Sequence, residues 1–185
     1  MKNDKLLLTR RQLLTSGSAA LTTLIFPKLS FATATSKFER KLILYNTHTS
    51  EWFKDIFWED GHYIPEQLEA LNYFLRDPSN GKTTIIEPRL LDLMNSIQMT
   101  ISEKKPFEII SGYRSKEFND QLRKKGKGVA QNSKHIEGKA VDIRMSGVQL
   151  VKLRDAAKAE RVGGVGFYPK SNFVHIDIRK ECVYW

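Results

Sequence analysis

The sequence predicts a single α+β domain preceded by a removable export signal. Two helical patterns come first, opened by Pro65 and Pro88, and short strands then alternate with helices from residue 107 onward. The strands near residues 141 and 175 alternate apolar and polar residues, which marks half-buried sheet rather than the continuous apolar runs of a regularly wound parallel core. The chain has 185 residues, enough for one ordinary core, with 41% apolar and 28% charged residues, a globular composition.

The first 34 residues read as a leader and stand outside the fold. Thr9-Arg10-Arg11-Gln12-Leu13-Leu14 precedes a short, polar-diluted apolar stretch to Phe26, and Ala32-Thr33-Ala34 supplies a small-x-small cleavage site. Adjacent arginines before such a stretch point to the twin-arginine route, with cleavage near Ala34 and a periplasmic destination. The stretch is short for a membrane span, and no later segment approaches the roughly 20 apolar residues that a span needs. Residues 35–41 form a short polar leader, and residues 42–185 form the domain.

Within that domain, Leu42-Ile43-Leu44-Tyr45 and the run from Trp52 to Trp58 predict a two-stranded hairpin across Asn46–Glu51. Pro65 opens a helix whose apolar side carries Leu68, Leu71 and Phe74, and Asp77-Pro78-Ser79-Asn80-Gly81 is a turn cluster. Pro88 opens a second helix with Leu90, Leu91, Leu93, Met94 and Ile97. A strand is predicted over 107–111 and a helix over 115–125, with Ser115 as N-cap. A polar loop over 126–133, a strand over 140–145, a helix over 148–161, a short strand over 165–168 and a last strand over 173–179 complete the pattern.

Charge narrows the function. Cleavage after Ala34 would remove five positive charges and one negative from a net of +9, leaving +5. A basic exported domain suits an anionic polymer such as a carboxylate-rich cell wall. Nucleic acid is the other usual partner of basic domains, but export and the lack of any recognition signature argue against it. Cys182 is the only cysteine, which excludes an intramolecular disulfide and a thiolate zinc site.

The chemistry-bearing residues lie on the alternating strands. In Val174-His175-Ile176-Asp177-Ile178 the period of two sends the aliphatic residues to the core, and His175, Asp177 and Arg179 to the other face. The same logic buries Val141 and Ile143 and turns Asp142 away from the core. His135 lies seven residues before Asp142, and Gly138 between them permits a bend that folds the loop back on the strand. His135, Asp142 and His175 would then form a two-histidine, one-carboxylate set, the three protein ligands that a catalytic zinc takes beside an open position. On spacing alone, the His135–Asp142 pair also reads as a surface pair. His48 and His62 lie at no ligand spacing and are left out of the metal set. Trp52, Trp58, Tyr45 and Phe57 read as core or interface ahead of substrate contacts.

Ser111-Gly112-Tyr113-Arg114-Ser115, Ser133-x-His135 followed by Asp142, Gly163-Gly164-Val165-Gly166-Phe167-Tyr168-Pro169 and Asn172-Phe173-Val174-His175-Ile176-Asp177 resemble, in order, the YcbK/MepK family of murein endopeptidases. Leu44-Tyr45-Asn46-Thr47-His48-Thr49 and the terminal Tyr184-Trp185 resemble it too. The resemblance implies a small antiparallel sheet flanked by helices, as in D-alanyl-D-alanine peptidases, lysostaphin-type enzymes and the hedgehog domain. It implies one Zn2+ held by His135, Asp142 and His175, and peptidoglycan stem peptides as partners. Arg114 would stabilise the oxyanion or form a structural ion pair. Tyr113 and Tyr168 would flank the substrate, and Ser133 would contact substrate or shape its loop. The related D-alanyl-D-alanine peptidases carry a glutamate base where this chain has Asn172, whose amide cannot accept a proton. Asp177 is the expected substitute as base or acid, or else a group orienting an imidazole, with Glu137 a further alternative. The function implied is zinc-dependent cleavage of cross-link amides. Carboxypeptidase trimming of stem peptides and a noncatalytic zinc-containing wall-binding module are the alternatives.

Overall fold

The computed structural model describes residues 38–102, 104–126 and 128–185, so the export signal and most of the short leader lie outside the described residues. Eight strands form one sheet in the order β3-β2-β1-β4-β5-β7-β6-β8. They are β1 (Glu39–Asn46), β2 (Trp52–Glu59), β3 (His62–Tyr63), β4 (Phe107–Ser111), β5 (Ala140–Arg144), β6 (Gly164–Tyr168), β7 (Phe173–Asp177) and β8 (Val183–Tyr184). The helices are α1 (Pro65–Phe74), α2 (Pro88–Ile101), α3 (Lys116–Lys124) and α4 (Leu150–Ala159). Among the described residues no helix is long and apolar enough to cross a membrane.

The α+β class holds, but the sheet is larger than the small antiparallel one expected, and it is mixed. β1 runs parallel to β4, and β6 runs parallel to β8. The cause of the first pairing is the long connection after the β1–β2 hairpin. Through α1 and α2 the chain crosses over and returns beside β1 in the same direction, which a tight turn cannot do. β3 and β8 are two residues long, too short to leave a periodic signature.

One face of the sheet carries the core. Leu42, Leu44, Phe53, Phe57, Phe107, Ile109, Val141, Ile143, Val174 and Ile176 meet Leu71, Leu90, Leu91, Met94 and Ile97 from the helices. Helix α1 packs on β2, α2 on β1 and on α4, and α4 on β6 and β7. Burying a side chain such as Leu44 contributes about 1.5–3 kcal/mol. A polar tie adds specificity to this packing. Gln98 of α2 is buried and accepts from the amide of Ile43 at 3.0 Å. Its own amide group donates to the carbonyls of Ile43 at 2.9 Å and Lys105 at 2.8 Å.

The opposite face of the sheet, near its middle, carries the chemistry. Asp142 on β5 pairs directly with His175 on β7, and on their outer sides Ser111 of β4 faces Asp142 and Gly166 of β6 faces His175. The segment before α3 is anchored by Asp77, whose buried carboxylate accepts the amide of Ser115 at 2.8 Å and the amide and hydroxyl of Ser79 at 2.8 and 2.6 Å. Ser115 in turn caps α3 by accepting from the amide of Phe118 at 3.2 Å. That anchoring holds Arg114 in place over the site.

Candidate metal centre

His135, Asp142 and His175 come together at the centre of this face, all three buried, with one ligand atom from each within 4.8 Å of the others. Asp142 and His175 are brought together by the β5–β7 register. His135 arrives from the loop before β5, which Gly138 turns back at a φ of +66°. A Cβ on Gly138 would stand 2.3 Å from the carbonyl oxygen of Ile85, so backbone packing also requires glycine there.

The tautomers follow from the outward contacts. His135 Nδ1 lies 2.7 Å from the carbonyl oxygen of Gly112, and His175 Nε2 lies 3.1 Å from Asp177 Oδ2. Both partners are acceptors, so both outward nitrogens carry the proton. His135 Nε2 and His175 Nδ1 then point inward with lone pairs. They sit 3.2 Å apart, and their distances to Asp142 Oδ1 are 3.2 and 2.8 Å. Three lone pairs facing one another in this way form a set that could hold a metal cation.

The spacing suits zinc. Ligand bonds of about 2.0–2.1 Å at tetrahedral angles place ligand atoms roughly 3.3 Å apart. Burial alone would raise the Asp142 carboxyl, but the two imidazoles hold it well below the usual carboxylate range. Burial would lower His175, yet the carboxylates of Asp142 and Asp177 pull it up, while burial pushes His135 down despite Asp142 beside it. The carboxylates of Asp142 and Asp177 favour positive charge at the point where the three groups meet, while burial keeps His135 neutral, the form in which an imidazole can ligate.

The triad opens onto a cavity of about 900 Å³ whose lining includes Arg114, Ser133, Tyr168, Trp185 and His48. An open cavity leaves a fourth ligand position accessible, as a catalytic rather than a structural ion needs. The family described as "Peptidoglycan L,D-endopeptidase MepK" matches residues 34–182 of this sequence. The chain belongs to that family. The peptidoglycan L,D-endopeptidase MepK of Escherichia coli (strain K12) is 44% identical over 174 residues, covering 94% of this chain and 96% of the relative. The MepK of Shigella flexneri matches to the same extent. A Haemophilus influenzae relative named "Probable peptidoglycan L,D-endopeptidase MepK" is 36% identical, covering 91% of each chain. No solved structure matches this chain at a significant level.

Arg114 lies over the centre of this MepK-family site, 6% exposed, with Nη2 donating to Asp142 Oδ2 at 3.4 Å. Its Nε has no acceptor among the described residues. Ser133 lines the cavity and also shapes the loop, since its Oγ accepts from the amide of His135 at 3.4 Å. Tyr168 lines the cavity, stacks on Phe173 at 4.6 Å and accepts from Trp185 Nε1 at 2.8 Å. Tyr113 does not line it. Its amide donates to the carbonyl of Leu75 at 2.7 Å and its ring packs against the core, because Gly112 and Tyr113 are clamped to the end of α1.

The carboxylates expected to move a proton sit elsewhere. Asp177 is fully buried behind the His175 ring, on the side away from Asp142. Its Oδ1 accepts from the amides of Gly164 at 2.9 Å and Arg179 at 3.0 Å, and the Arg179 guanidinium bonds both of its oxygens. Burial would raise this carboxyl, but His175 and Arg179 hold it well below its ordinary range. A carboxylate so enclosed suits an orienting role, and it does not line the cavity. Glu137 is exposed, bound by Lys134 at 2.6 Å and Lys139 at 3.0 Å, and lines a neighbouring hollow instead. Asn172 is exposed and ends the 3-10 turn Pro169–Ser171 at a φ of 53°, a left-handed position that asparagine tolerates well.

Two cavity residues escaped sequence reasoning. Trp185 packs against His175 at 5.5 Å, with Arg179 stacked on it at 4.9 Å, and its seat exists because Gly166 has no Cβ. The terminal Tyr-Trp pair was its only signal. His48 lines the cavity from the β1–β2 turn, and the run Asn46-Thr47-His48-Thr49 was the trace it left.

Proposed function

We propose that this chain is a zinc-dependent peptidoglycan endopeptidase that hydrolyses amide bonds in the cross-links between stem peptides. The relatives carry L,D-endopeptidase in their names, and we extend that bond class to this chain. The observation that carries the reading is the inward-facing set of His135 Nε2, Asp142 Oδ1 and His175 Nδ1 at near-tetrahedral spacing on an open cavity. The signal in residues 1–34 supports delivery to the periplasm by the twin-arginine route, where the substrate polymer lies.

His135, Asp142 and His175 would hold a zinc ion, which would supply Lewis-acid polarisation of a carbonyl and activation of water at neutral pH. The rest falls to the protein. Gly112 and Asp177 hold the two imidazoles in the tautomers that point lone pairs inward. Arg114 places a fixed positive charge where negative charge develops on the carbonyl oxygen, an effect worth several kcal/mol in a site screened from water. Tyr168 and Trp185 form one wall against which a peptide rests, and Ser133 offers a hydroxyl at the opposite loop.

The test is incubation of the purified, exported protein with cross-linked muropeptide dimers, with and without chelator and zinc add-back, read by mass spectrometry. Zinc-dependent conversion of dimers to monomers is expected, and the dimers consumed identify the bond cut. Intact dimers with shortened stems would replace this reading with a carboxypeptidase. Inert dimers with a folded, zinc-loaded protein would leave a wall-binding module.

A further inference from the structure

With Asp177 enclosed, Glu137 outside the cavity and Asn172 in a turn, the site has three ligands and an arginine but no evident group to move a proton. The cavity wall supplies one. Among the described residues, its lining contains five titratable side chains outside the ligand set, His48, Arg114, Lys134, Tyr168 and Arg179. Arg114 and Arg179 are guanidinium cations, the latter bound to Asp177, and Lys134 is paired with Glu137. Tyr168 is a phenol whose oxygen already accepts from Trp185 Nε1 at 2.8 Å. His48 is the remaining group, and histidine is the residue type most often used for this step.

An exposed histidine in a hairpin turn would ordinarily be mobile, but this one is built in. Asn46 ends β1 with its side chain buried. Its Oδ1 accepts from the amides of His48 at 3.0 Å and Thr49 at 3.3 Å, and its Nδ2 donates to the carbonyl of Phe74 at 3.0 Å. The base of the turn is closed by Glu51, which bonds Thr49 Oγ1 at 2.7 Å and Arg76 at 2.9 and 3.0 Å. The turn then docks on β4, where the register slips between Ile109 and Ser111. Ile109 O accepts from both the amide and the hydroxyl of Thr47, at 3.2 and 2.8 Å, and Ile110 O accepts from His48 Nε2 at 2.9 Å.

Because a carbonyl only accepts, Nε2 of His48 is the donor and Nδ1 keeps its lone pair. Ile110 precedes Ser111, the residue opposite Asp142, and His48 lines the same cavity as His135, Asp142 and His175.

We propose that His48 is the proton-transfer residue of this site, an inference that rests on the amide-hydrolase reading above. Its Nδ1 takes a proton from the attacking water as the water oxygen bonds to the amide carbon. It returns that proton to the amide nitrogen as the C–N bond breaks and its electron pair passes to nitrogen. One water is consumed, a carboxyl and an amine group form, and His48 ends neutral.

The test compares wild type, His48→Gln and His48→Ala in the zinc-loaded protein on muropeptide dimers. The glutamine amide can keep the bond to Ile110 O but provides no nitrogen that accepts a proton. Expected are wild-type zinc content in both variants, KM within about twofold, kcat lower by about 10²–10⁴-fold, and partial rescue of His48→Ala by added imidazole. Unchanged kcat in His48→Gln overturns the proposal, as does a raised KM with kcat intact, which would make His48 a substrate anchor. Loss of zinc together with activity overturns it too, by making the residue structural. A zinc-loaded wild type that leaves every dimer whole overturns the endopeptidase reading itself and the proposal with it.

Discussion

Replacing Asp177 by asparagine separates two roles a buried carboxylate can have beside a metal-binding histidine. The side chain receives His175 Nε2 at 3.1 Å on Oδ2 and the amides of Gly164 and Arg179 at 2.9 and 3.0 Å on Oδ1. Asparagine can keep the Oδ1 contacts. Its NH2 group then faces His175 where an acceptor stood, and donating to Nε2 drives the imidazole proton to Nδ1. A protonated Nδ1 cannot ligate. Loss of such an outer partner lowers metal affinity by about 10–100-fold, or roughly 1.4–2.7 kcal/mol. The Arg179 guanidinium also loses its charged partner. Because Arg179 is part-exposed and can turn to water, that loss adds no more than about 1 kcal/mol to the stability change. Zinc competition against a chromophoric chelator measures the affinity, and kcat at saturating zinc measures the chemistry. The expected result is weakened zinc binding with most of kcat restored when zinc is in excess. Wild-type zinc affinity with collapsed kcat would refute the orienting role and make Asp177 the proton carrier after all.

Gln98→Leu keeps the volume of a buried side chain but leaves the amide of Ile43 and the carbonyls of Ile43 and Lys105 without partners. At about 1–3 kcal/mol for each buried group left unpaired, urea denaturation should show a loss of about 3 kcal/mol or more, and a loss under about 1 kcal/mol would contradict the assignment. Asp77 is held below its ordinary range because, although burial would raise it, the bonds from Ser115 and Ser79 reverse the shift. Its contribution to stability is therefore fully present above the unfolded value of about 3.9 and is lost as pH falls through the lower folded value. The stability gap between wild type and Asp77→Asn should be constant near neutrality and shrink in acid; a gap independent of pH would show that the charge of Asp77 is irrelevant. Gly166→Ala brings a Cβ to 2.7 Å from Trp185 Nε1, so it should displace the indole, alter tryptophan fluorescence and raise KM for muropeptide dimers.

What could be read in the sequence was whatever depends on local periodicity. Alternation in Val174–Ile178 and Val141–Ile143 assigned His175, Asp177 and Asp142 to the face away from the core, and a serine before an amphipathic stretch marked the start of α3. Contacts set by distant residues were not legible. Asp142 stands opposite His175 because of a strand register, and β1 lies parallel to β4 because two helices intervene. Neither fact has a local signature. Asp177 and His175 share a strand face in the sequence, yet the carboxylate belongs behind the ring because Gly164 and Arg179 enclose it there. Tyr113 shares a motif with Arg114, but the carbonyl of Leu75 holds its backbone against the core. His48 shows the reverse case: nothing near it in sequence has ligand spacing, and the carbonyl of Ile110, some sixty residues away, holds its ring on the cavity wall.

The eight-stranded sheet has a further consequence at its two margins. Each outermost strand, His62–Tyr63 on one side and Val183–Tyr184 on the other, is two residues long. A free strand edge is a template on which another chain can add a strand and begin an aggregate, and its danger grows with its length and flatness. On the Val183–Tyr184 side the remaining edge is short, but on the other side only Trp58 and Glu59 of β2 pair with β3, which leaves the Trp52–Ile56 stretch of β2 along the margin. That stretch carries the exposed charges of Lys54 and Asp55, which oppose the addition of a strand from a second copy at the one margin long enough to receive it.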